Sequence, residues 1–237
     1  MATVLGVDAT KAGWVGVILT DAGRLSAVVG QKIDDLVERA MERARSEGSA
    51  FTALSVMGID MPIGLPDHEE SRPADICARK ELKGRSRSVF STPVREAILL
   101  EPYEVASRRN FELSGKKLTR QAYGMCKKLR QVDGWVRTAP LRVAEVHPEL
   151  SFTRLSGEPM VHNKKTWAGA HERRRCLAGK GIVLPDDLDD VGDASVDDVL
   201  DAVAAAWTAR RVSMNVADRY PEESTPFKDG LESTIWA

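Results

Sequence analysis

VLGVDATKAGWVGVIL, residues 4–19, decides how this chain reads. Its first half is short, apolar and β-branched, the pattern of a buried strand, and it closes on one acid, Asp8. Thr10 to Gly13 turn the chain, and WVGVILT resumes as a second strand. DAGR (21–24) is a tight turn and LSAVV (25–29) a third strand, which predicts an antiparallel meander. Ile33, Leu36, Val37, Ala40, Met41 and Ala44 recur at helical spacing, so a helix is expected over 32–47, ended by Gly48. ALSVMGID (53–60) is another apolar run that closes on an acid, Asp60. A strand, a helical crossover and a strand in one sheet are normally parallel. Laid beside the first strand, the 53–60 strand ends at the same sheet edge. Asp8 and Asp60 become neighbours where open α/β sheets hold their ligands.

Residues 66–140 change character. PADICARKELKGR, PYEVASRRNFELSG and LTRQAYGMCKKLRQVDGWVR predict helices separated by Gly, Pro and Ser. Between Arg72 and Arg137 there are 16 Lys and Arg against 7 Asp and Glu, so this reads as a basic helical insert within one domain spanning 1–237. LRVAEVHPELSF (141–152) returns to strand pattern, ends near Glu145 as a further parallel neighbour, and turns at His147-Pro148 into a short helix. NKKTWAGAHERRRCLAGKG (163–181) is a further helix. The acidic loop LPDDLDDVGDAS leads into the last long helix, SVDDVLDAVAAAWTARRVSM (195–214).

Bulk properties narrow the class. With 43% hydrophobic and 29% charged residues, the chain fits an ordinary soluble globular protein. No apolar run approaches the ~18 residues of a membrane helix. MATVLGVDA has no basic region ahead of its apolar stretch, so a cytoplasmic location is expected. Cys77, Cys126 and Cys176 form no CxxC pair, which argues against a disulfide framework or a structural zinc site. Net charge is −1, yet Val183 to Asp201 holds 8 Asp and no basic residue. One basic and one acidic stretch suit a polyanion held against a metal-loaded site, or simply two solvated surfaces.

Each candidate acid also has an ordinary structural use. An Asp at a strand end, as at Asp8 and Asp60, can equally serve an Asx turn or a helix cap. Glu145 can be an edge residue and Glu149 a first-turn acid after Pro148. Asp197 and Asp198 suit a helix start capped by Ser195. Asp201 is different, because it lies inside VLDAVAAAW among small and apolar residues, where an unpaired carboxylate costs several kcal/mol. Carboxylates from two strand ends and one helix make an all-oxygen set suited to Mg²⁺ or Mn²⁺. Two such ions roughly 3.5–4 Å apart can activate water against a phosphodiester. In the insert, Arg85 and Arg87 lie among Ser86, Ser88 and Ser91 with Phe90 between, donors suited to phosphate and an aromatic suited to a base, or else a basic surface loop. Lys164, and Lys11 in the turn after Asp8, are further candidate substrate contacts.

Five motifs in register carry a resemblance over nearly the whole chain: GVDATKAGW, GIDMPIGLP, ARKELKGRSRSVFSTP, EVHPELSF and DDVLDAVAAAWTA. Together they are similar to domain-of-unknown-function family 429, predicted ribonuclease H-like nucleases nearest the resolvase branch. The resemblance implies an α/β ribonuclease H-like mixed sheet flanked by helices. It makes Asp8 the central metal ligand, Asp60 the second-strand ligand, and Asp198 and Asp201 the helical ligands, with Glu145 an accessory acid and Asp197 competing with Asp198. It also implies two Mg²⁺ or Mn²⁺ ions and RNA or DNA as the partner. Two further readings stay open. One is an actin-like phosphotransferase reading VDATKAG as a phosphate turn; the other is a non-catalytic module that grips nucleic acid or a partner.

Overall fold

The computed structural model describes residues 2–47, 53–68, 71–188, 191 and 193–237. Along the chain run β1 (Val4–Ala9), β2 (Trp14–Leu19), β3 (Leu25–Gly30), α1 (Ile33–Glu47), β4 (Val56–Ile59), α2 (Pro73–Glu81), α3 (Arg95–Ile98), α4 (Tyr103–Ser114) and α5 (Arg120–Trp135). They are followed by β5 (Arg142–Val146), α6 (Pro148–Ser156), α7 (Trp167–Ala178) and α8 (Val196–Ser213). Gly48, the expected stop of α1, lies outside the described residues. The chain divides into two compact units, one of residues 1–61, 139–218 and 236–237, the other of 62–138 and 219–235.

The first unit is built on a mixed sheet whose strands run in the order β3-β2-β1-β4-β5. β1, β2 and β3 pair antiparallel, while β4 lies parallel to β1 and β5 parallel to β4. This is the α/β arrangement of meander plus parallel strands that the opening sequence predicts. Period and chirality explain it. Each central strand is four to six mostly apolar residues, buried along its length. α1 supplies the crossover from β3 back to β4 and buries Ile33, Leu36, Val37, Ala40 and Ala44.

α8 crosses the other face at unusually short range. Its residues from Val199 to Ala206 are all buried, and the alanines leave its backbone bare toward the sheet. Gly6 and Gly58 complete the fit: a Cβ added at Gly6 would sit 2.0 Å from the Ala202 carbonyl oxygen, and one at Gly58 2.5 Å from that of Ala205. Gly6→Ala therefore forces α8 off β1. Overpacking of this kind typically costs about 1–3 kcal/mol, and thermal unfolding should show the loss, whereas Gly124→Ala, at an exposed position of α5 with nothing within 4 Å, should not destabilise.

The second unit is helical. Arg72 is wholly buried there, donating to Asp75 at 3.1 Å and to the Ile63 carbonyl at 2.8 Å. Arg95 pairs with Asp133 and Asp229. Arg109, Arg120 and Arg130 pair with Glu96, Glu104 and Glu101 on the surface. Several of the cations read as a basic surface are thus engaged in ion pairs within this unit. The helix expected over 73–85 stops at Glu81, and a short turn, Ser86–Ser88, follows. Among the described residues, no helix is long and apolar enough to cross a membrane.

Candidate metal centre

The first unit brings three acids together. Val7 pairs with Ile59, and the Val7 carbonyl accepts from the Asp60 N–H at 2.9 Å, so the next row sets Asp8 beside Asp60. Side chains alternate across a strand, so Asp8 shares the face of Gly6 and Asp60 that of Gly58, the face on which α8 lies. Asp201, on α8 one residue before Ala202, points into the same spot and is 2% exposed. One carboxylate oxygen from each of Asp8, Asp60 and Asp201 lies within 4.8 Å of the others.

Comparison with known proteins adds a family but no activity. The profile of a family described as "Protein of unknown function (DUF429)" matches residues 6–225. The chain belongs to this family. No curated protein and no solved structure gives a significant match. For this DUF429 chain, what the site can do rests on its chemistry.

Burial, then the charges of Asp60 and Asp201, hold the Asp8 carboxyl well above the usual carboxylate range. Burial likewise pushes Asp60 up to about 6, with Lys164 opposing and Glu149 and Asp198 adding to the rise. Asp201 is pushed up to about 7, again by burial first, with Lys164 working against it. Lys164 reaches in from the loop before α7 and donates from Nζ to Asp201 Oδ2. Burial alone would lower its pKa, but Asp201, Asp60 and Asp8 outweigh that and keep the ammonium charged. Fully deprotonated, the three carboxylates against one ammonium would carry two excess negative charges, the charge of one divalent cation. Oxygen ligands on an Mg²⁺-sized ion, at 2.0–2.1 Å from it, lie roughly 3–4 Å from one another. The spacing of the three oxygens admits such an ion, and a soft metal would find no nitrogen or sulfur ligand among them.

The remaining candidates fall in different places. Asp198 is half-buried one turn before Asp201; its N–H donates to Ser195 Oγ, and its charge reaches both Asp8 and Asp60. Asp197 stands 4.0 Å from Lys164 Nζ and accepts from Ser195 Oγ. Glu145 does not join the group. It pairs with Ile59, one row short of Asp60, and alternation turns it to the sheet face away from α8. A different acid takes part electrostatically: Glu149, at the start of α6, whose charge reaches Asp60 and Asp201. It is held by Arg173 of α7, which is 0% exposed and also donates to the carbonyls of His162 and Gly169. Gly169, Arg173 and Leu177 form one buried stripe of α7 at i, i+4, i+8. Arg85 and Arg87 belong to the second unit, at its Ser86–Ser88 turn, with Arg87 exposed. Lys11 lies exposed in the β1–β2 turn and lines a groove together with Lys164 and Asp198.

Proposed function

We propose that this chain is a cytoplasmic, metal-dependent nuclease that hydrolyses phosphodiester bonds of RNA or DNA. The observation that carries the reading is the convergence of Asp8, Asp60 and Asp201, from two adjacent parallel strand ends and one helix, with the single ammonium of Lys164 against them. Burying three carboxylates against one ammonium is costly, and a divalent cation would offset that cost. Asp8, Asp60 and Asp201 would hold one Mg²⁺ or Mn²⁺ ion, and Asp198 is the group at hand for a second. Such ions lower the pKa of water and neutralise charge on a leaving oxygen. The chain's own contribution is rigidity and charge. Two ligands sit on hydrogen-bonded strands, and the Ala9 N–H donates to Asp8 Oδ1 at 2.6 Å, fixing one carboxylate oxygen. The third ligand sits on a helix locked against Gly6 and Gly58. The resemblance to ribonuclease H-like proteins supports the same reading and implies products with a 3′-hydroxyl and a 5′-phosphate.

One observation favours a second reading. The Lys164 ammonium already engages Asp201, so the acids could serve a non-catalytic ion-pair network in a nucleic-acid-binding module. Incubation of purified protein and Asp60→Asn with labelled single-stranded and structured RNA and DNA, in Mn²⁺ and in EDTA, separates the two. The nuclease reading expects Mn²⁺-dependent cleavage that falls at least ~100-fold in the variant. Binding without turnover in any divalent cation supports the second reading instead.

A further inference from the structure

Of the five tryptophans, Trp14 is buried and Trp135, Trp207 and Trp236 are half-buried, whereas Trp167, the first residue of α7, is 89% exposed. An indole left in water is unusual, since Trp is on average a well-buried residue. Its setting is ordered. The Thr166 N–H donates to the Asn163 carbonyl at 3.0 Å, Thr166 Oγ1 accepts from the Gly169 N–H at 3.1 Å, and the Lys165 N–H donates to Asn163 Oδ1 at 2.9 Å. A Cβ at Gly169 would lie 1.9 Å from the Asn163 carbonyl oxygen, so this loop is pressed onto the helix.

Trp167 faces a groove of about 1010 Å³ lined also by Lys11, Lys165, Arg174 and Lys164. Lys164 is the link, because the same side chain that lines the groove reaches Asp201 in the acid cluster. Asp186, Asp197 and Asp198 share the lining, which leaves phosphate contact to Lys11, Lys165 and Arg174. An aromatic face among cations, beside a site suited to divalent ions, matches one ligand chemistry: a base to stack and a phosphate backbone to follow. In a duplex both faces of a base are already covered, so only an unpaired nucleotide can use the indole.

We infer that this groove binds unpaired nucleic acid, with a base stacked on Trp167 and the adjoining phosphates held by Lys11, Lys165 and Arg174. The inference rests on the proposed nuclease reading and narrows its substrate to single-stranded or locally melted strands.

The test is a binding measurement in EDTA, where no turnover occurs. Fluorescence anisotropy of a labelled single-stranded oligonucleotide and of its duplex would be followed with the full-length protein, Trp167→Ala and Trp167→Phe. The expected result is tighter binding of the single strand, a loss of about 5- to 100-fold in Trp167→Ala, and near-complete retention in Trp167→Phe. Duplex binding should be the same in all three. Equal single-strand affinity in wild type and Trp167→Ala, or a preference for duplex, overturns the inference. So does a dimer in sedimentation that Trp167→Ala converts to monomer, since the indole would then cover a second copy of the chain. Because binding is read without metal, these outcomes are independent of cleavage. A groove that behaves as expected beside an inert acid cluster sinks only the nuclease reading, and cleavage indifferent to Trp167 sinks only this one.

Discussion

Replacing Asp8 by Asn is expected to abolish hydrolysis while making the metal-free protein more stable. The loss follows from position: Asp8 ends the central strand of the parallel pair and shares the oxygen cluster with Asp60 and Asp201. Lewis-acid stabilisation by a bound ion amounts to several kcal/mol at the transition state. Misplacing that ion therefore costs turnover about 10³-fold or more. The gain follows from electrostatics. Burial and the neighbouring acids hold the Asp8 carboxyl well above its ordinary range, so above that range the folded state bears a cost for ionising this group that the unfolded chain does not. Asn keeps the oxygen that accepts from Ala9 and adds an amide able to donate to the acids beside it. For a chain of this length each kcal/mol gained raises the melting temperature by roughly 2–4 °C, so calorimetry in EDTA should resolve the shift. Opposite signs for stability and activity mark a site assembled for a ligand. A variant that melts earlier would show that Asp8 serves the fold, and one that still cleaves would show that the cluster is not the source of the activity.

How much of this is readable from the residues depends on whether a signal is local. Asp8 and Asp60 are legible, because an apolar run closing on an acid, a helix and a second such run leave only one right-handed parallel pairing. Asp201 is too, since a carboxylate inside an alanine-rich helix must meet a cation or a hydrogen-bond donor. The alanines also foretell the close approach that Gly6 and Gly58 permit. Glu145 misleads for a reason no single strand reveals. Whether it faces the cluster depends on the register of β5 against β4, and a shift of one residue inverts every side chain. Lys164 reads as a substrate contact, but a long flexible side chain carries no pattern that says where its ammonium goes. Its engagement with Asp201 becomes visible only once α7 and α8 are in place. Trp167 gives no cue beyond its own identity, because exposure at a helix start depends on what fails to pack there.

Divalent cation should raise the melting temperature, and the increment should grow with pH and vanish in Asp201→Asn. Carboxylates bind metal in their deprotonated form, so each proton held by the cluster must leave before an ion can enter. Asp60 titrates near 6, Asp201 near 7 and Asp8 well above its reference, all raised chiefly by burial. These shifts act oppositely on the metal-free and the loaded protein. Without metal, the folded state binds more protons than the unfolded chain above the reference value of 3.8, so the cluster's stabilising contribution is full below that pH and is lost as pH rises through about 6 and 7. With metal, the same rise removes the competing protons and tightens binding. At a free ion concentration one hundred to one thousand times Kd, binding adds about 2.7–4.1 kcal/mol, or roughly 5–16 °C for a chain of this size. The melting curves with and without Mg²⁺ should therefore nearly coincide at about pH 5 and separate widely by about pH 8. A separation independent of pH would place the ion elsewhere. One that persists in Asp201→Asn would mean that the helix contributes no ligand, and that the buried acid of α8 is there for Lys164 alone.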